Sequence, residues 1–188
     1  MVLHDEGNPW NYTDRWSDST HLEPDKLAED REFRAQNVFA VAAHPLALFE
    51  QHLGRPIPWS SGYPQLFLTP AARVEANAFY SRQRNGVLFG WLPATDGQPS
   101  MHTALSFDIV AHEVSHAVLD GLRPRYIEPS LPDQLAFHEA LADLVAMFSV
   151  FDLKDVPEHL LDADGNGKFK FPSDAAAKKI ADLLLSLP

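Results

Sequence analysis

Cysteine is absent from all 188 residues of the chain. That excludes disulfide staples and thiolate metal sites, so any bound metal must sit on His, Asp or Glu. Positive charge is scarce as well: 15 Lys and Arg against 26 Asp and Glu leave a formal net charge of −11. Nucleic acid is therefore not an expected partner, because phosphate recognition needs a basic surface. No apolar stretch reads as long enough to span a bilayer, and Met1-Val2-Leu3-His4-Asp5-Glu6 lacks the basic start and apolar run of a signal peptide. The expectation is a soluble chain with no membrane partner, either cytoplasmic or secreted as part of a longer precursor. What remains is ordinary globular composition, 45% hydrophobic and 22% charged, in a length that suits one compact domain.

Residues 1–30 are polar, rich in Asp, Trp and Pro, and without a period, so they read as an irregular arm anchored by Trp10, Tyr12 and Trp16. Residues 31–188 read as a single domain. Apolar residues at three- and four-residue steps from Phe33 to Phe49 predict a helix ending at Gly54, with a kink or restart at Pro45. Gln65–Thr69 suits a short strand. Asn85-Gly86, lying between the apolar segments 74–80 and 87–92, predicts a hairpin. Helices are expected over 106–122 and 132–151, with a short helical piece at 157–161 and a last helix at 173–187 whose apolar stripe packs on the domain. The fold class is α+β: an N-terminal helix, a small antiparallel-edged sheet, then helices.

His112-Glu113-Val114-Ser115-His116 is an HExxH sequence. On a helix, positions i and i+4 share a face, so both imidazoles can reach one ion. Glu113, beside the first of them, is placed to deprotonate a metal-bound water rather than to ligate. Catalytic zinc takes three protein ligands and leaves a position for water. The next helix offers Glu139 as the third and, four residues on, Asp143 to accept the outward ring N–H of a ligating histidine. Both acids fall in an otherwise apolar helix, where they need a partner or a metal.

A second constellation is Asp162-Ala163-Asp164-Gly165-Asn166-Gly167-Lys168-Phe169. Oxygen-bearing side chains at positions 1, 3 and 5 and Gly at 6 match the first half of an EF-hand calcium loop, with the Lys168 carbonyl as the seventh-position ligand. Position 12 is Ser173, with Asp174 one residue late, and an Asp/Gly-rich turn without metal is the alternative.

The pair HExxH and Glu139-Ala140-Leu141-Ala142-Asp143 resembles the gluzincins, and its context, from about Glu75 to Ser149, resembles the thermolysin family of zinc metallopeptidases. The resemblance implies a zincin-like fold, with an active-site helix followed by a glutamate helix. It implies a structural calcium role for Asp108, four residues before His112. It also implies that Asn77 and Ala78 hold an extended peptide on a sheet edge, a mode of recognition that suits strands generally. Tyr126 lies near where the family has a tyrosine on the tetrahedral intermediate, and the helical C-terminal lobe of the family is missing here. His102 and His138 are further imidazoles able to donate to an oxyanion, and neither is favoured.

The expected function is that of a hydrolase, a zinc-dependent endopeptidase cleaving peptide bonds through a zinc-bound water with Glu113 as general base. Peptides or proteins are its substrates, Zn2+ its cofactor and Ca2+ a second candidate. The alternative is a non-catalytic, zinc-stabilised module that binds a peptide or partner, or a truncated peptidase domain.

Overall fold

In the computed structural model the described residues are 2–5, 8–9, 24–60, 62–96, 99–128 and 131–153. The 162–169 loop, with Asp162, Asp164, Asn166 and Lys168, lies outside them, as do the 157–161 and 173–187 helices and Trp10, Tyr12 and Trp16. The chain divides into two units, Met1–Ser149 and Val150–Pro188, and of the second only residues 150–153 are described.

Two short strands, β1 (Val2–Asp5) and β2 (Asn8–Pro9), come first, followed by α1 (Pro24–Glu29). The opening segment thus adds strands to the sheet where the sequence reads as irregular. Asp30 then caps α2 (Arg31–Leu53), its carboxylate accepting from the N–H groups of Glu32 at 2.8 Å and Phe33 at 2.9 Å. Gly54 ends the helix in the left-handed region at φ 65°. Pro45 does not restart it: α2 runs through the proline. Val38, Val41, Ala42 and Pro45 share the buried face, and core packing outweighs the roughly 3 kcal/mol that an interior proline costs an isolated helix.

The sheet continues with β3 (Phe67–Val74), β4 (Ala78–Ser81), β5 (Gly86–Leu92) and β6 (Met101–His102). Its order is β2-β1-β3-β5-β4, with β6 also on β5. β1, β3 and β5 are mutually parallel, whereas β4 pairs antiparallel with β5 and forms the edge. The hairpin turns at Asn85, whose φ of 48° is one of the left-handed conformations asparagine tolerates. Gly90 allows the bend before β4 to cross closely: a Cβ there would stand 2.1 Å from the Glu75 carbonyl oxygen. Its N–H instead donates to Asn77 O at 2.7 Å.

Two further helices complete the described chain, α3 (Phe107–Leu122) and α4 (Pro132–Phe151). Val110, Val114, Ala117 and Val118 of α3 meet Val38 and Ala42 of α2, Leu68, Val87 and Phe89 of the sheet, and Leu66 just before β3 in one buried cluster. α4 is different. Only His138, Ala142, Ala146 and Ser149 are buried, while Leu135, Phe137, Leu144, Met147 and Phe148 stand exposed. Among the described residues α4 is the one helix long and apolar enough, by length and composition alone, to cross a membrane. Glu139 and Asp143 lie within it beside the α3 imidazoles, and carboxylates in hydrocarbon are costly.

Candidate metal centre

α3 is buried along nearly its whole length, which fixes the rings that it carries. His112 and His116, one turn apart, bring their Nε2 atoms to 3.0 Å from each other. Across from them, Glu139 Oε2 lies 3.4 Å from His112 Nε2 and 3.6 Å from His116 Nε2. Ligand atoms on a tetrahedral ion with bonds of 2.0–2.1 Å stand about 3.3 Å apart, so the three atoms have the spacing of a shared cation. The donor set, two imidazoles and a carboxylate, suits zinc.

The back of each ring is also held from α4. Asp143 Oδ1 lies 2.8 Å from His112 Nδ1, a contact that puts the ring proton on Nδ1 and leaves the Nε2 lone pair facing Glu139. His116 Nδ1 meets His138 Nδ1 at 2.7 Å. Burial, then the neighbouring His138 and His112, push the His116 imidazole down to about 3, so at neutral pH it is in the uncharged form that ligates. The side chains of Glu139 and Asp143 are 64% and 76% exposed. The premise that they sit in an apolar interior is therefore corrected, and their convergence on the two rings is what distinguishes them.

Glu113 is buried and faces the same cleft, accepting the backbone N–H of Tyr80 at 2.9 Å. Burial pushes its carboxyl up to about 7, against the downward pull of His112 and of the Tyr80 N–H. Because Tyr80 N–H points away from β5, the alternation of an antiparallel ladder turns the backbone groups of Ala78 the same way. The cleft, of about 410 Å³, is lined by Asn77, Ala78, Tyr80, Glu113 and the three residues that meet at the triad.

The edge strand is tied down by a cluster that the sequence reading missed. Asp120, fully buried at the end of α3, accepts from the Tyr80 hydroxyl at 2.7 Å, from Ser60 Oγ at 2.5 Å and from Arg82 Nε at 2.9 Å. Burial alone would raise its carboxyl, but the donors together hold it below the usual range. The signal was a faint one: Asp120 continues the four-residue step of His112 and His116.

Other sequence candidates fall elsewhere. Tyr126 is exposed, packs edge-on against Phe137 at 5.7 Å, and is not among the residues lining the cleft. His102 stacks on Trp91 and meets Ser100 Oγ at 3.0 Å. Asp108 accepts from Ser106 Oγ, a hydrogen bond that lowers its pKa, and shares a second cleft of about 570 Å³ with Asp143.

Residues 11–120 match the thermolysin metallopeptidase catalytic domain. The chain belongs to the thermolysin family. The match takes in His112, Glu113 and His116 and ends before α4, so Glu139 and Asp143 rest on the sequence motif and the geometry. No curated protein matches the chain. Thermolysin-family membership implies a metallopeptidase, zinc as its metal, and peptides or proteins as its substrates.

Proposed function

We propose that this chain is a zinc endopeptidase domain in which His112, His116 and Glu139 hold the metal and Glu113 is the general base. The observation that carries the reading is the 3.0–3.6 Å convergence of the three ligand atoms beside the buried Glu113 carboxylate, which also lies within reach of the two imidazoles and is held by the Tyr80 N–H. Zinc, when bound there, supplies the Lewis acidity that polarises a peptide carbonyl and acidifies a water.

The protein's own residues do the rest. Glu113 takes the proton of the attacking water on its carboxylate and passes it to the leaving amine. The Tyr80 N–H keeps that carboxylate aimed into the cleft. Asn77 and the outward backbone of Ala78 align an extended peptide along the β4 edge, so that orientation is supplied before chemistry. Asp143 fixes the tautomer of His112. Calcium at Asp108 and the 162–169 loop remains a separate expectation that this proposal does not use.

A second reading, a zinc-stabilised peptide-binding module, is favoured by one observation. Among the described residues, no arginine, lysine or free phenol lines the cleft to meet an oxyanion, since the Tyr80 hydroxyl is committed to Asp120. The two readings separate on one experiment. The zinc-loaded chain and its Glu113→Gln variant are incubated with a mixed peptide library and read by mass spectrometry. A peptidase cleaves as wild type and slows by about 10²–10⁴-fold as the variant, with zinc retained in both. Equal cleavage by the two rules out the role of Glu113. Zinc binding without cleavage by either selects the binding module.

A further inference from the structure

His138 precedes Glu139 on α4 and is 5% exposed. Its ring lies nearly parallel to that of His116, with centroids 4.7 Å apart and planes 22° apart. The Nδ1 atoms of the two rings are 2.7 Å from each other. At that separation two neutral imidazoles share one proton, with one nitrogen donating and the other accepting. His116 Nε2 faces His112 Nε2 and Glu139, and a neutral imidazole that ligates through Nε2 carries its hydrogen on Nδ1. His116 is then the donor, and His138 Nδ1 the acceptor.

That assignment puts the proton of His138 on Nε2, a buried atom with no hydrogen-bond partner among the described residues. A buried N–H left unpaired carries an uncompensated desolvation cost, and such a group calls for an explanation. The explanation lies at the other nitrogen. An apolar residue at 138 would remove the orphan, but would also leave His116 Nδ1–H with no acceptor.

We propose that His138 is a positioning residue of the metal centre: it accepts the Nδ1–H of His116 and so fixes the ring and tautomer in which His116 ligates. The proposal rests on the zinc reading above. It makes α4 the source of both ring-orienting contacts, a carboxylate behind His112 and an imidazole behind His116. A competing arrangement would make His138 itself a ligand, since His116, His138 and Glu139 also lie close enough to share an ion. The 2.7 Å Nδ1–Nδ1 contact argues against it, being shorter than the roughly 3.3 Å between ligands on a tetrahedral ion, and that arrangement would abandon His112.

The test measures zinc affinity of the full chain by competition with a chromophoric chelator, in wild type, His138→Leu and His138→Asn. Asparagine can present its side-chain oxygen close to where Nδ1 lies; leucine presents no acceptor. The expected result is a 10–100-fold loss of affinity for leucine, with asparagine restoring most of it. Melting of the metal-free proteins separates this from a folding defect, which would not follow acceptor capacity. Leucine binding as tightly as wild type, or asparagine losing as much as leucine, overturns the proposal. Should leucine not fold, ring ¹⁵N shifts of zinc-loaded wild type decide. A hydrogen on His116 Nδ1 and a bare, metal-free Nδ1 on His138 support it; a proton or zinc on His138 Nδ1 overturns it. Failure of wild type to bind zinc removes the parent reading as well, whereas tight zinc binding with an indifferent leucine variant removes only this inference.

Discussion

The backbone N–H of Tyr80 donates to the Glu113 carboxylate across 2.9 Å, joining the sheet edge to the HExxH helix. The same residue reaches α3 a second time, through its hydroxyl to Asp120 at 2.7 Å. Strand β4 is thus pinned at two points of the helix that carries both imidazoles, and the position of the base is coupled to the position of the edge.

Tyr80→Phe keeps the N–H and removes only the hydroxyl. Hydrogen bonds to charged groups contribute about 1.5–3 kcal/mol, so urea unfolding should report a loss of about 2 kcal/mol. Zinc affinity should stay within error of wild type. A large fall in zinc affinity would mean that the Asp120 cluster supports the metal site and not only the edge.

Asp120→Asn tests the buried charge. The folded-state pKa of Asp120 is depressed, so the stability linked to it is fully present above the ordinary carboxylate pKa and is lost as pH falls through the folded value. At neutral pH the substitution should destabilise by about 3 kcal/mol, the lower end for breaking a buried pair, because the Arg82 side chain is 32% exposed. Urea titrations at neutral and acidic pH should show the gap between variant and wild type closing as pH falls. A gap that stays constant would place the stabilisation elsewhere.

Asp143→Ala removes the carboxylate behind His112. Contacts of this kind typically change metal affinity by 10–100-fold. The exposure of Asp143 lets water replace it in part, so the expected loss is about 10-fold by chelator competition. No change would show that water orients the ring equally well.

Much of this architecture was legible because it is local. The four-residue step of His112 and His116 puts both rings on one face by helix geometry alone, and the Glu139-to-Asp143 step does the same on α4. Asn85-Gly86 located the hairpin, and Gly54 the end of α2. What was not legible depends on contacts between distant segments. Pro45 looked like an interruption because its buried neighbours come from elsewhere in the fold. Asp120 draws its partners from Ser60, Tyr80 and Arg82, and no periodicity links those positions. His138 read, with His102, only as an imidazole able to donate to an oxyanion; its contact with His116 lies across two helices. The apolar run of α4 suggested an interior helix, yet most of that run is exposed, since a composition says how greasy a helix is and not what lies beside it.

That sparsely buried helix has a consequence for how the molecule holds together. Few side chains fasten α4 to the body, and three of its residues, His138, Glu139 and Asp143, converge on the rings of α3. A cation shared between the helices would act as a rivet as well as a reagent. Stripping it would loosen α4 before the sheet and α2 feel any change, and amide exchange would quicken first in that one helix.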